Sequence, residues 1–255
     1  MFTSVWSGEN YLIYIMAGLM LAVIILSKSP TLKGKIGEAS IRSKLKKLDP
    51  KEYHVLHDIM IQQPDGKTTQ IDHLVISRYG VFVIETKNYT GWIMGSERAE
   101  YWTQVIYKRK EKLYNPIRQN YGHIKALENF LGESGIPFIS IISFSTRATL
   151  KLEAMSAEVI YSTQVVRTIL KYKEVQLTEE QREQIYKALS VKTIHTREER
   201  KQHVQDIKGK LKETKQMVSA GICPKCQGEL VERRGKNGAF TGCSNFPSCR
   251  YTKAL

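Results

Sequence analysis

The segment Gly80-Val81-Phe82-Val83-Ile84-Glu85-Thr86-Lys87 constrains the fold of this chain most strongly. Four consecutive bulky apolar residues, three of them β-branched, favour extended backbone covered on both faces. The run ends in charges, and a buried strand that ends in charges ends in a cleft. Alternate strand side chains share a face, so Glu85 and Lys87 point the same way and Thr86 points away. Upstream, Thr68 to Ser77 reads as another strand, and the short Ser77-Arg78-Tyr79-Gly80 connection predicts an antiparallel hairpin. The hairpin carries Asp72 toward Glu85 and Lys87. Adjacent carboxylates repel unless a cation lies between them, and an oxygen-only donor set suits Mg²⁺ or Mn²⁺. A lysine beside that cation can orient or deprotonate a water, or stabilise charge developing on a phosphate. The arrangement suits metal-assisted attack on a phosphodiester. An isolated E-x-K is more often a surface ion pair; the apolar approach to Glu85 and the nearby Asp72 distinguish this one.

Further elements surround the hairpin. Ile36, Ala39, Ile41, Leu45 and Leu48 form an apolar stripe that predicts a helix from about Gly34 to Leu48. His54 to Ile61 reads as a strand, and Trp92 to Met94 with Tyr101 to Tyr107 as extensions of the sheet. Pro116 opens a helix running to about Leu131, with Ile117, Tyr121, Ile124, Leu127 and Phe130 facing inward. Phe138 to Phe144 is a central strand and Glu158 to Tyr161 a short one. Helices follow near Thr163–Tyr172 and Thr178–Leu189. The expected class is α/β, a mixed sheet flanked by helices over residues 28–190.

Tyr11 to Leu26 carries no charge, and with its flanks it approaches the roughly 20 residues that cross a bilayer as a helix. A signal peptide would carry positive charge before the run. Here only Glu9 precedes it, while Lys28, Lys33 and Lys35 follow, so residues 1–27 read as a retained transmembrane anchor. The excess of lysine after the run places the N-terminus outside and the bulk of the chain in the cytoplasm at the cell membrane. Residues 191–218 are charged and read as a linker, helical or flexible.

All four cysteines fall within residues 219–255: Cys223-Pro-Lys-Cys226 and Cys243-x5-Cys249. Two thiolate pairs suit tetrahedral Zn²⁺, and a closed set of four leaves no open position, so the metal is structural. Lys+Arg exceed Asp+Glu by 39 to 25, a formal charge of +14. Such a charge favours polyanions, either nucleic acid or anionic lipid. Arg233, Arg234, Lys236, Arg250 and Lys253 are candidate phosphate contacts, and Phe240, Phe246 or Tyr251 offer stacking faces for bases.

Several motifs occur in order: Gly34-x-x-Gly37-Glu38, Ile71-Asp72-His73-Leu74-Val75, Glu85-Thr86-Lys87-Asn88-Tyr89 with Gly91-Trp92, and Asn115-Pro116-x-x-Gln119. Together they resemble the nuclease-related (NERD) family of the PD-(D/E)XK nuclease superfamily. The resemblance implies a restriction-endonuclease-like core. It implies metal-binding roles for Asp72 and Glu85, a catalytic role for Lys87, a metal-assisting role for Glu38, and a contact to phosphate or metal-bound water for Gln119. A helix-surface acid and a capping amide are the plainer readings of the last two. Pro64-Asp65 spells the superfamily letters but sits in a turn, and the positional match is Ile71-Asp72. His73 points to the opposite strand face and reads as structural. The cysteine segment is similar to the C-terminal C4 zinc fingers of bacterial type I DNA topoisomerases, which implies binding of single-stranded DNA. Topoisomerase chemistry is not implied.

The expected protein is a membrane-anchored, divalent-metal-dependent deoxyribonuclease with a DNA-binding ribbon. The alternative is a catalytically inactive, membrane-tethered DNA-binding or scaffold protein; a lipid-surface protein using residues 28–47 is a third reading.

Overall fold

A computed structural model describes residues 14–16, 20, 29–63, 66, 68–132, 135–153, 155–193, 197–235 and 238–254. The chain divides into two compact units, Met1–Ile194 and His195–Leu255.

The larger unit begins with α1 (Pro30–Leu45), whose proline sits in the first turn, where no helical hydrogen bond is lost. Three antiparallel strands follow: β1 (His54–Gln62), β2 (Thr68–Ser77) and β3 (Gly80–Lys87). Strands β4 (Gly91–Gly95), β5 (Tyr101–Ile106) and β6 (Arg109–Tyr114) precede α2 (Pro116–Leu131). The unit closes with β7 (Phe138–Phe144), β8 (Ala148–Leu152), β9 (Glu158–Tyr161), α3 (Val165–Ile169) and α4 (Glu179–Ser190).

The main sheet runs β1-β2-β3-β7-β9, with β7 parallel to both β3 and β9. This is the mixed sheet expected from the sequence. Strand β3 lies at its centre, and Val81, Phe82, Val83 and Ile84 are fully buried. Val81 and Val83 face α2 and α4 among Leu74, Ile76, Leu127, Ile185 and Leu189. Phe82 and Ile84 face the other way, among Ile41 and Leu45 of α1 and Val165 and Ile169 of α3. The unbroken apolar run is thus explained by two cores, one on each face.

The β2–β3 turn is wedged against the start of β7. Gly80 has φ +132, and a Cβ there would lie 2.4 Å from Ile139 Cδ1 and 2.9 Å from the Pro137 carbonyl oxygen. The N–H of Val81 donates to that same carbonyl at 2.9 Å.

Three expectations are corrected. Trp92–Met94 and Tyr101–Tyr107 do not extend the main sheet. They belong to a second, four-stranded sheet, β6-β5-β4-β8, of which β6 and β8 escaped the sequence reading. Gly91, at φ +77, turns the chain out of the first sheet, and Trp102 packs over Gly95 and stacks on Phe144 with centroids 6.1 Å apart. The first helix buries Ile41 and Leu45, but Ile36 and Ala39 are exposed, because only its C-terminal half meets the sheet. Tyr121 is also exposed, with Lys125 Nζ 5.4 Å from its ring centre.

The smaller unit contains α5 (Arg197–Ser219), over residues expected as a linker, and the antiparallel strands β10 (Leu230–Gly235), β11 (Gly238–Cys243) and β12 (Thr252–Ala254). No helix among the described residues is long and apolar enough to cross a membrane, and most of the run from Tyr11 to Leu26 lies outside them.

The wedge at Gly80 makes a quantitative prediction. Gly66 also has positive φ, +78, but nothing lies within 4 Å of a Cβ there. Gly66→Ala should cost about 1 kcal/mol for its left-handed backbone. Gly80→Ala should exceed it by roughly 1–3 kcal/mol of steric strain. Urea unfolding followed by far-ultraviolet circular dichroism compares the two, and equal losses would rule out the wedge.

Candidate active site and metal centre

Glu85 is buried at the end of β3, and three side chains hold its carboxylate. Lys87 Nζ donates to Oε1 at 2.7 Å and Gln119 Nε2 to the same oxygen at 2.8 Å. His123 Nε2 lies 3.1 Å from Oε2. Lys87 also donates to Gln119 Oε1 at 2.8 Å, which closes a triangle among the three groups. His123 Nδ1 lies 2.8 Å from Thr69 Oγ1. With the Nε2 proton on Glu85, Nδ1 accepts from the threonine hydroxyl, so the network assigns one tautomer. Burial pushes the Glu85 carboxyl upward. The His123 hydrogen bond and the Lys87 charge outweigh it and hold the group below the usual carboxylate range.

Helix α2 is fixed in place by two buried asparagines. Asn115 Oδ1 accepts from the N–H of Ile117 at 2.9 Å, capping the helix, while its Nδ2 donates to the carbonyls of Ala99 at 2.6 Å and Glu97 at 3.0 Å. Asn120 Nδ2 donates to the Val83 carbonyl at 2.9 Å and to Ser140 Oγ at 2.8 Å, which ties the helix to β3 and β7. One turn after the cap comes Gln119, and one turn further His123, on the same face. The Asn-Pro-x-x-Gln pattern is therefore a cap plus a group delivered to Glu85. His123 and Thr69 were absent from the sequence reading. The i, i+4 spacing from Gln119 was the available signal for the histidine; Thr69 had none.

Asp72 Oδ2 accepts from the N–H of Thr86 at 2.9 Å, so the aspartate is pinned beside Glu85 by the β3 backbone. The β1–β2 register pairs His57 with His73 and Ile59 with Ile71 but skips the rung between, where Asp58 has φ +55. Asp58 is a further acid that sequence reasoning missed. It accepts from Arg42 Nη2 at 2.7 Å and Gln70 Nε2 at 3.2 Å. Glu38 arrives by way of Gly37. A Cβ at Gly37 would lie 2.9 Å from Asn88 Cβ and 3.3 Å from Thr86 Cγ2, so the missing side chain lets α1 pack on the end of β3. Burial and the charge of Glu85 push the Asp72 carboxyl well above its ordinary value, against the opposing Thr86 hydrogen bond. Burial and Asp58 likewise raise Glu38, with Arg42 opposing.

The structure thus gathers Glu38, Asp72, Glu85, Lys87 and Gln119 into one region. Asp65 lies outside the described residues. Among those residues, only the four thiols bring three or more potential ligand atoms within 4.8 Å of one another, so the carboxylates are not drawn that close. Their chemistry nonetheless fits a hard divalent cation. All are oxygen donors, and Asp72 and Glu38 resist ionisation through burial and mutual repulsion, a strain that a cation relieves. On the opposite strand face, His57 Nδ1 and His73 Nδ1 are 2.8 Å apart. Burial lowers His57 to about 4 and His73 to about 3, so this is a neutral pair packed under α1.

In the smaller unit, Cys223, Cys226, Cys243 and Cys249 cluster as a zinc site. Cys223 and Cys249 sulfurs are 3.7 Å apart, and those of Cys226 and Cys243 3.3 Å. The Gly228 N–H bond lowers the Cys226 thiol to about 6, while burial pushes the Cys243 thiol up to about 12. Of the candidate nucleic-acid contacts, Arg234, Arg250 and Phe246 are exposed. Arg233 is engaged, donating to the Cys243 carbonyl at 3.2 Å and lying 5.8 Å over the Phe246 ring. Lys236 lies outside the described residues.

The strain at Asp72 has a measurable consequence. A carboxyl whose folded value is raised opposes folding increasingly as pH rises above the ordinary range near about 4. Asp72→Asn keeps the acceptor for Thr86 and removes the charge. Its melting temperature in EDTA at neutral to alkaline pH should exceed the parent's by roughly 2–6 °C, a gain that shrinks toward pH of about 4. A variant no more stable than the parent at alkaline pH would show that Asp72 is unstrained.

Comparison with known proteins fits this geometry. Residues 33–145 match the family described as nuclease-related domain, NERD, and residues 220–255 match the topoisomerase DNA binding C4 zinc finger. An uncharacterized protein of Bacillus anthracis is 42% identical over 190 residues, which cover 73% of this chain and 89% of that protein. DNA topoisomerase 1 of Methanocaldococcus jannaschii is 66% identical over 34 residues, 13% of this chain but only 4% of the topoisomerase. The uncharacterized protein YrdD of Escherichia coli is 58% identical over 33 residues, 13% of this chain and 18% of that one. No solved structure matches. With its cap, its acids and its Glu85-Thr86-Lys87 strand end assembled as described, the chain belongs to the nuclease-related domain (NERD) family and carries a topoisomerase-type C4 zinc ribbon at residues 220–255.

Proposed function

We propose that this protein is a divalent-metal-dependent deoxyribonuclease that hydrolyses phosphodiesters and holds DNA, single-stranded in particular, through its zinc ribbon. The observation that carries the reading is the buried Glu85 linked to Lys87, Gln119 and His123, with Asp72 pinned alongside. A structural ion pair has no need of a second and third carboxyl held above their ordinary range next to it.

Asp72 and Glu85 would hold Mg²⁺ or Mn²⁺, with Glu38 assisting. A bound cation supplies neutralisation of the phosphodiester and acidification of a water. The chain's own groups do the rest. Glu85 and Gln119 fix the Lys87 ammonium group at the strand end, so its charge is already in place when a phosphate arrives. Gln119, with its Nε2 on Glu85 and its Oε1 on Lys87, braces the contact between the two. His123 spans Glu85 and Thr69, which fixes the carboxylate plane. In the ribbon, Arg234 and Arg250 offer charge to phosphates and Phe246 a face to a base.

A second reading, DNA binding without catalysis, draws on the fact that both Glu85 oxygens already accept protein donors. Purified full-length chain in detergent distinguishes the two, with single- and double-stranded DNA and Mg²⁺ or Mn²⁺. The nuclease reading expects cleavage that stops in EDTA and falls about 10²–10⁴-fold in both Asp72→Ala and Lys87→Ala, with DNA binding retained. Binding without cleavage, unaltered by either substitution, leaves only the tether.

The location follows from the uncharged run at 11–26 and the lysines after it. We propose a single-pass anchor with the nuclease unit in the cytoplasm. The chain should then stay with the membrane pellet through alkaline carbonate extraction, and deletion of residues 1–27 should release it; release of the full chain by carbonate removes the anchor from the model of its action.

A further inference from the structure

Beneath the N-terminal half of α1, on the face of the main sheet opposite Glu85, lies a groove of about 410 Å³. Its walls come from α1, from the end of β3, from the segment after β7 and from the turn before α3. Lys33, Lys44 and Arg147 line it, together with many hydroxyls and the Lys87 end of β3, and among the described residues no acid does. In a protein whose other cleft is rich in carboxylates, this separation of charge is itself informative: the groove suits an anion.

The floor carries an independent observation. Thr86 and Ser143 occupy opposite places in the parallel β3–β7 register, and both line the groove. Ser143 is wholly buried, and both hydroxyl oxygens are inaccessible and lack a hydrogen-bond partner among the described residues. A buried hydroxyl without a partner costs stability, so each such group calls for an explanation. Two such groups lie side by side in the floor, under cationic walls, with donor capacity that the described residues do not use. The surrounding polar groups are already set: Lys44 Nζ donates to Ser40 Oγ at 2.6 Å, and Arg147 Nη2 to Asn88 Oδ1 at 2.7 Å. Asn88 in turn donates to the Lys33 carbonyl at 2.5 Å, which braces α1 against the strand end.

We propose that this groove is a phosphate subsite that holds a second phosphate of the nucleic-acid strand, next to the one presented to Glu85 and Lys87. The proposal rests on the nuclease reading for the identity of the strand, but the site stands on its own geometry. Thr86 joins the two: its N–H holds Asp72, while its side chain faces the groove. One residue of β3 thus separates the acidic face from the phosphate face. The phosphate comes from a strand end or from the backbone interior, and the two sources share the same chemistry.

The test uses the full-length chain in detergent and EDTA, so that binding is read without cleavage. Titration calorimetry with one short single-stranded DNA, bearing either a 5′-phosphate or a 5′-hydroxyl, compares the parent with Ser143→Ala and Lys44→Gln. Both substitutions should weaken binding roughly 10-fold through lost charge-assisted hydrogen bonds. Ser143→Ala should do so with an unchanged or higher melting temperature, because it deletes an unpartnered buried hydroxyl. If the subsite takes a strand end, the 5′-phosphate form binds more tightly to the parent and the preference disappears in the variants. If it takes an interior phosphate, both forms weaken alike. Affinities equal to the parent's in both variants overturn the proposal. Cleavage is read separately: variants that lose binding in an enzyme shown to be inactive leave the subsite standing and remove only the catalysis.

Discussion

The fold turns on keeping one carboxylate charged inside a protein core. Moving Glu85 out of water is costly unless the interior returns what the solvent gave. Here an ammonium group, an amide and an imidazole do so from two directions, the strand's own Lys87 and the two inward turns of α2. Much else follows from that requirement. Helix α2 must sit at a fixed height on β3, which Asn120 secures through the Val83 carbonyl, and it must begin at a fixed residue, which Asn115 secures through its cap. The second sheet supplies part of the same anchorage, since the Asn115 amide reaches the carbonyls of Glu97 and Ala99 just before β5.

Around that satisfied charge lie groups that are not satisfied. Asp72 and Glu38 are held above their ordinary range, and Thr86 and Ser143 bury hydroxyls without partners among the described residues. Strained polar groups of this kind concentrate at functional sites, where a ligand completes them. Their division across β3, Asp72 beside Glu85 on one face and hydroxyls under basic walls on the other, gives the strand end two complementary surfaces. At the opposite His57–His73 pair, burial keeps both rings neutral.

The sequence disclosed the central part of this design and not its edges. The β2–β3 hairpin, the buried β3, the start of α2 at Pro116 and the convergence of Asp72, Glu85 and Lys87 were legible because each rests on short-range rules: strand parity, a tight turn, proline in a first turn. Gln119 was reached only through the family resemblance. The zinc cluster was legible because thiolate spacing is nearly a geometry in itself. The second sheet was not legible. β6 reads Arg-Lys-Glu-Lys-Leu-Tyr, with one buried side chain, Leu113, and carries almost no period-two signal. Ile36 and Tyr121 obeyed the helical spacing yet stay exposed, since where a helix touches a sheet depends on partners far away in sequence. His123, Thr69 and Asp58 were missed for the same reason. Their roles exist only after α2 and β1 dock, and Asp58 further depends on a broken rung that no local pattern announces.

The wedge at Gly80 bears on the order in which the chain is made. The β2–β3 hairpin is local and contains Asp72, Glu85 and Lys87, so its strands can pair soon after they leave the ribosome. The groups that anchor Glu85 from α2, and the Pro137 carbonyl that seals the hairpin turn, arrive more than thirty residues later in the chain. Parallel pairing of β3 with β7 is the slow, non-local step. A nascent chain therefore carries its acidic residues in a solvated, unassembled hairpin, and the buried site comes into being only when β7 closes against Gly80. Pairing of the hairpin and burial of its acids are separated in time by a single glycine that leaves room for a later strand.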